Sequence, residues 1–262
     1  MVDVHRRQPG VQELAGMSIS VPRAEPITPA DSGDRDGAIP PLESGDRLTR
    51  GEFERRYQAM PPLTKAELIE GVVYVASPVR HRYHGKQHFH LLSWLAHYEA
   101  GTPGVEGGVS STVRLDLNNE PQPDCVFFIQ PEHGGQVQID EDGYIQGAPD
   151  LVAEVAASTA SYDLHDKLGA YRRNGVREYL VCRVFDRRVD WFVLREGAYE
   201  PLAPAPDGSL RSTVFPGLWL DLAALLRGDL PAVLALVQHG LESPEHTEFA
   251  ARLRQARGEP VE

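Results

Sequence analysis

Residues 150–184 read DLVAEVAASTASYDLHDKLGAYRRNGVREYLVCRV. An apolar run broken by one carboxylate opens the stretch, and a second apolar run closes it. As a strand, 150–156 puts Leu151, Ala153 and Val155 on one face and Asp150, Val152 and Glu154 on the other. From about 161 to 174, Leu164, Lys167, Leu168 and Tyr171 recur at the spacing of an inward helix stripe. Gly175 follows where a left-handed residue ends such a helix. Further strands are predicted near 178–184 and 188–194.

Strand, helix and strand alternate only here, and hairpins dominate elsewhere. The predicted fold class is therefore a mixed central sheet flanked by helices, of α/β or α+β type. Working outward, residues 66–76 read as a strand, a turn at Gly71 and a returning strand. Residues 82–99 read as an amphipathic helix, and 105–109, 111–117 and 123–129 as strands. Thr49 opens a short helix with Phe53 and Tyr57 one turn apart. Residues 131–148 look like an inserted hairpin turning at Asp142 and Gly143. Short helices follow at 220–226, 231–238 and 244–257, the last one charged and mobile by its composition. The first 45 residues, rich in Pro, Gly, Ser and Asp, read as a disordered or extended tail. The organisation expected is a tail at 1–45, a domain at 46–228 and a helical extension at 229–262.

Bulk properties bound the function. A net charge of −12 argues against a protein that coats nucleic acid non-specifically, because neutralising phosphates takes clustered Lys and Arg. It leaves room for a small local basic cleft. No apolar run approaches the roughly 20 residues that span a bilayer, and the first residues hold no apolar segment of the secretory kind. Cys125 and Cys182 sit inside apolar runs and read as buried thiols in a reducing compartment. These features predict a cytoplasmic protein.

The chemistry lies in charged groups among apolar neighbours. Glu154 is a carboxylate in the middle of an apolar strand, and Asp124, fixed by Pro123, starts another. Carboxylates on neighbouring apolar strands are costly to desolvate unless a cation sits between them. Mg²⁺ prefers such oxygen ligands. Lys167 comes level with Glu154 if the helix folds back on the sheet. Glu154 lies roughly 10 Å before the strand end at ~3.3 Å per residue, and Lys167 roughly 9 Å along a helix at ~1.5 Å per residue. Two acids and a lysine around a divalent ion suit phosphodiester hydrolysis. Of Glu67 and Glu70, alternation sends at most one to the same cleft, and the pattern does not say which. His84 and His88 have zinc-ligand spacing, but no HExxH glutamate and no clear third ligand accompanies them. His84, near a helix start, is placed to approach a phosphate.

Several blocks together carry a resemblance: Ala66 to Gly71, Ser77-Pro78, His84, Pro123-Asp124, Asp150 to Val155, Asp163, Lys167, Tyr171, and Gly175 to Val181. In order and spacing they resemble the Uma-type family of restriction endonucleases, in the PD-(D/E)XK nuclease superfamily, over about residues 45–225. The resemblance implies a restriction-endonuclease-like core and a metal-dependent endonuclease acting on DNA. It implies Mg²⁺, with Mn²⁺ as a substitute, at Asp124 and Glu154, with Glu67 or Glu70 assisting. In the plain superfamily motif the lysine stands two residues after the second acid, where this chain has Ala156, so Lys167 on the next helix has to substitute. A homodimer is expected, since one such centre cuts one strand at a time. A catalytically silent binding or assembly module on the same fold is the alternative, and a hydrolase of small phosphoesters a third.

Overall fold

The computed structural model describes residues 39–61, 64–78, 80–157 and 162–258. The tail expected at 1–45 lies outside them up to residue 38. Its last residues already belong to the fold: Leu42 is buried against Phe53, Ala66, Leu68 and Val73, and the Gly45 N–H donates to the Val73 carbonyl at 2.8 Å.

The predicted strand–helix–strand stretch forms the centre of the molecule. Strand β8 (Leu151–Ala156) pairs in parallel with β9 (Glu178–Arg183), and the helix between them, α3 (Leu168–Asn174), ends on Gly175 in the left-handed region. A π-helical turn, Asp163–Lys167, leads into α3. Parallel strands need such a crossover. Around this pair lie β10 (Arg188–Arg195), β11 (Ala198–Pro201), β5 (Cys125–Ile129) and β3 (Val105–Val109), all joined antiparallel. The six strands run in the order β11-β10-β9-β8-β5-β3, the mixed sheet the sequence predicts.

Alternation along the strands builds a core on each face. Leu151, Ala153, Val155, Cys125, Phe127 and Leu180 face α2 (Lys86–Gly101), which presents Leu91, Trp94, Leu95 and Tyr98. The indole of Trp94 donates to the Trp219 carbonyl at 2.9 Å and the Tyr98 hydroxyl to that of Pro216 at 2.8 Å, tying α2 to the segment after the sheet. The opposite face carries Val152, Ala156, Tyr179 and Val181, covered by Tyr171 of α3. Glu154 is on this second face. Both cysteines are buried, and burial pushes the Cys182 thiol up to about 12, which leaves it inert.

Smaller pieces complete the fold. The hairpin β1 (Ala66–Ile69) and β2 (Val72–Val75) turns through Glu70 and Gly71, both at positive φ, as two-residue turns favour. Helix α1 (Arg50–Gln58) stacks Phe53 on Tyr57 as expected, but the Thr49 side chain does not cap it; Thr49 contributes its carbonyl to the Phe53 N–H. The strand expected at 111–117 shrinks to β4 (Val113–Arg114), because Asp116 and Asn119 close a turn. The 131–148 insertion forms β6 (Gln138–Ile139) and β7 (Ile145–Gln146), and β7 adds in parallel to β4. After β12 (Leu210–Arg211) and β13 (Trp219–Leu220) come α4 (Leu222–Arg227), α5 (Leu230–Leu241) and α6 (Pro244–Arg257). Helix α6, charged in sequence, is docked rather than mobile: Phe249 and Leu253 enter the α2-side core, and the Leu253 carbonyl bonds His133 at 2.8 Å. Among the described residues no helix is long and apolar enough to cross a membrane.

Candidate active site

Glu154 stands in the middle of β8, paired with Val181 of β9 on one side and one residue past the last β5 pair, Cys125 with Ala153, on the other. Cys125 faces Ala153 across the antiparallel β5/β8 pair, so Asp124, one residue earlier, falls beside Glu154. The Asp124 N–H donates to Glu154 Oε2 at 3.3 Å, and the Val155 N–H returns a bond to Asp124 Oδ2 at 2.8 Å. The two acids that the sequence places on separate strands are interlocked through the backbone.

Lys167 reaches them from the π turn. Its Nζ lies 2.8 Å from Glu154 Oε1 and 3.0 Å from Glu67 Oε1, and the side chain is buried. The Tyr171 hydroxyl, one helical turn on, donates to the same Glu154 oxygen at 3.2 Å. Glu67 arrives from β1 and is fixed by the Gln122 N–H at 2.7 Å. Alternation separates Glu67 from Glu70, and the hairpin resolves which one turns inward. Glu67 joins the cluster, whereas Glu70 sits in the turn, exposed and paired with Arg173. Asp150 also stands apart, beneath the sheet end, with Arg177 at 2.9 Å and the Ile129 N–H at 2.9 Å.

The π-helical turn His81–Gly85 ahead of α2 brings His84 Nε2 within 3.0 Å of Asp124 Oδ2. One helical turn on, His88 Nε2 lies 2.8 Å from the Asp124 carbonyl oxygen. The third ligand that sequence spacing lacks for this histidine pair is thus Asp124: the three residues offer donor atoms all within 4.8 Å of one another. A cavity of about 600 Å³ opens over this wall, lined among others by Glu67, His84, Asp124, Glu154, Asp163 and Lys167. Tyr162 borders it with a buried hydroxyl that has no partner among the described residues. No residue of the 131–148 insertion lines it.

Electrostatics marks the cluster as short of positive charge. Burial pushes the Glu154 carboxyl up; Lys167 opposes this, and Asp124, Asp163 and Glu67 add to it. Burial works against the Lys167 ammonium, but Glu154 and Glu67 outweigh it and hold the lysine well above its usual range. Asp124 is also pushed up by burial, yet the His84 hydrogen bond and the Val155 N–H bring it below the ordinary value. Glu67, Asp124, Glu154 and Asp163 therefore crowd one ammonium, an arrangement that a bound cation relieves. The carboxylate oxygens of Asp124 and Glu154 suit a hard ion such as Mg²⁺. The imidazoles beside Asp124 add nitrogen donors, which suit Mn²⁺ or Zn²⁺ better. A divalent cation fits these residues.

A nuclease-like protein shares this fold. The fold matches the crystal structure of a protein from Anabaena variabilis described as a putative nuclease belonging to DUF820. The TM-score is 0.52 at 15% identity, covering 66% of this chain and 97% of that one. Sequence is more specific: residues 51–223 match the Uma2 family model, "Putative restriction endonuclease", and the chain belongs to that family. No curated protein matches the chain.

Proposed function

We propose that the chain is a metal-dependent endonuclease that hydrolyses DNA phosphodiester bonds in the cavity over Glu154. One observation carries this reading: Asp124, Glu154, Glu67 and Lys167 come from separate elements to one buried wall, and carboxylate charge exceeds cationic charge there. Such a wall is expensive to fold, and a phosphodiester hydrolase has a use for it.

Asp124 and Glu154 are the residues to hold a divalent ion, Mg²⁺ or Mn²⁺. When bound, that ion supplies Lewis acidity at the scissile phosphate and a more acidic water. The protein's own groups do the rest. Glu154 and Glu67 fix the Lys167 ammonium, so it meets negative charge developing on phosphate oxygens without reorganising. Tyr171 restrains Glu154 in the same orientation. His84 holds the Asp124 carboxylate and, when protonated, attracts an approaching phosphate.

A silent binding or assembly module on the same fold is the competing reading, favoured by the net charge of −12. Plasmid DNA incubated with the protein in Mg²⁺ or Mn²⁺, beside Asp124→Ala and Glu154→Ala, separates the two. Nicking by the parent and by neither variant supports the endonuclease. Equal nicking by all three points to another site or a contaminant, and no nicking with tight binding of a protein partner favours the silent module.

A further inference from the structure

The mouth of the cavity carries features that metal-assisted hydrolysis does not need. Tyr83, in the turn before α2, and Phe185, just after β9, both line it. Their rings lie 5.2 Å apart at an interplanar angle of 48°. Phe185 is 59% exposed, so it contributes little to the core. Its position is nonetheless fixed. The Val184 N–H bonds the Ala156 carbonyl at 3.0 Å, which extends the β8/β9 pairing and sets the turn beside the end of the strand that holds Glu154. Tyr74 and Tyr162, which also line the cavity, form a second ring pair with centroids 4.1 Å apart. Lys65 and Arg80 line the cavity too, and neither has an ion-pair partner among the described residues.

From this juxtaposition we infer that the site takes unpaired DNA: the Tyr83–Phe185 pair stacks a nucleobase of a single strand while Lys65 and Arg80 steer the adjoining phosphates toward Glu154 and Lys167. The inference rests on the nuclease reading above and narrows its substrate class.

Two physical arguments favour a single strand over a duplex. Duplex binding draws on many phosphate contacts from a basic surface, and this chain carries a net charge of −12. Stacking needs no net charge and tolerates any sequence, because every base has a π-face. In a duplex those faces are already covered by neighbouring pairs, so an aromatic platform at the rim serves only a base that is unstacked or splayed out. A few cations beside aromatic rings are the usual equipment of a single-strand site.

The experiment is a binding titration in EDTA, which prevents cutting. The probes are a short single strand carrying a fluorescent adenine analogue and the same strand annealed to its complement. The expected result is quenching of the single strand on binding, with affinity roughly tenfold above that for the duplex at equal salt. Phe185→Ala should weaken single-strand binding by roughly tenfold and leave duplex binding unchanged, while Phe185→Trp restores it. Both variants alter an exposed side chain, and an unchanged melting temperature confirms the fold. Duplex binding as tight as single-strand binding, unchanged affinity in Phe185→Ala, or no binding of either probe overturns the inference. Failure of the nuclease reading shows separately, as intact single-stranded and plasmid DNA in Mg²⁺ and Mn²⁺ despite normal quenching.

Discussion

The Lys167 ammonium and the Glu154 carboxylate, 13 residues apart in sequence, meet at 2.8 Å inside the protein. Removing one partner of a buried pair strands the other, at a cost of about 3–5 kcal/mol. Lys167→Met should lose about that much in urea unfolding, because Glu154 and Glu67 stay buried without their cation. Lys167→Met combined with Glu154→Gln should recover part of the loss, since the Glu154 charge is then gone while Glu67 still lacks its cation. Neither protein should nick DNA. A single variant as stable as the parent would mean that the pair is hydrated and contributes little.

Stability should fall as pH rises from about 5 to about 9, and Glu120 is one cause. It is 3% exposed. Burial raises its carboxyl, Glu54 beside it adds to the rise, Arg114 and Arg50 oppose it, and the result is about 8 against an ordinary 4.5. The folded protein therefore keeps a proton that the unfolded chain releases. Glu120's contribution is complete below 4.5 and is lost as pH climbs through about 8. The slope in that window approaches about 1.4 kcal/mol per pH unit for one proton. Melting curves across the window should flatten in Glu120→Gln; a variant profile parallel to the parent's would remove Glu120 as the cause.

Metal choice should follow the donor atoms. Asp124 and Glu154 offer oxygen, while His84 and His88 place nitrogen beside Asp124, all three donors within 4.8 Å. Imidazole favours Mn²⁺ over Mg²⁺. At equal concentration Mn²⁺ should raise the melting temperature more than Mg²⁺; saturation at a hundred times the dissociation constant is worth about 2.7 kcal/mol. His88→Ala should remove the difference and keep the Mg²⁺ response. Equal responses to both ions in the parent would show that the histidines only orient Asp124.

How far the sequence reads into this structure depends on the range of the interactions. The unit around 150–184 was legible because periodicity is local: alternation fixed the two faces of β8, and a strand length set against a helix rise brought Lys167 level with Glu154. The register-dependent parts were not legible. Choosing Glu67 over Glu70 requires knowing that the β1–β2 hairpin lies against residues 118–122, through the paired Leu68 and Glu120 and the Gln122 N–H. The third donor beside His84 and His88 is 36 residues from His88, with nothing in the helix pattern to announce it. Helix α6 looked mobile because it is rich in charge and its only large apolar side chains are Phe249 and Leu253, yet the spacing of those two already marked a docking face.

Glu178 gives a prediction away from the cavity. It opens β9 fully buried, and its carboxylate gathers the segment after β12. Oε1 accepts from the Thr213 N–H at 2.6 Å, the Thr213 hydroxyl at 2.8 Å and the Val214 N–H at 3.3 Å, and Oε2 accepts from the Ser212 hydroxyl at 2.8 Å. Burial raises the carboxyl, and the Ser212 and Thr213 donors oppose it. This anchor holds the segment whose Phe215 and Leu218 fill the α2-side core. Glu178→Gln turns an amide N–H₂ toward donors, which should cost about 3 kcal/mol, and Glu178→Ala, which leaves every donor unpaired, should cost more. Both should show as lower urea midpoints with unchanged cooperativity. Well below those midpoints, Mn²⁺ should still stabilise both variants, because Glu178 makes no contact with Asp124, His84 or Glu154. A loss below about 1 kcal/mol in Glu178→Ala would show that the 212–214 segment is held by Phe215 and Leu218 packing alone.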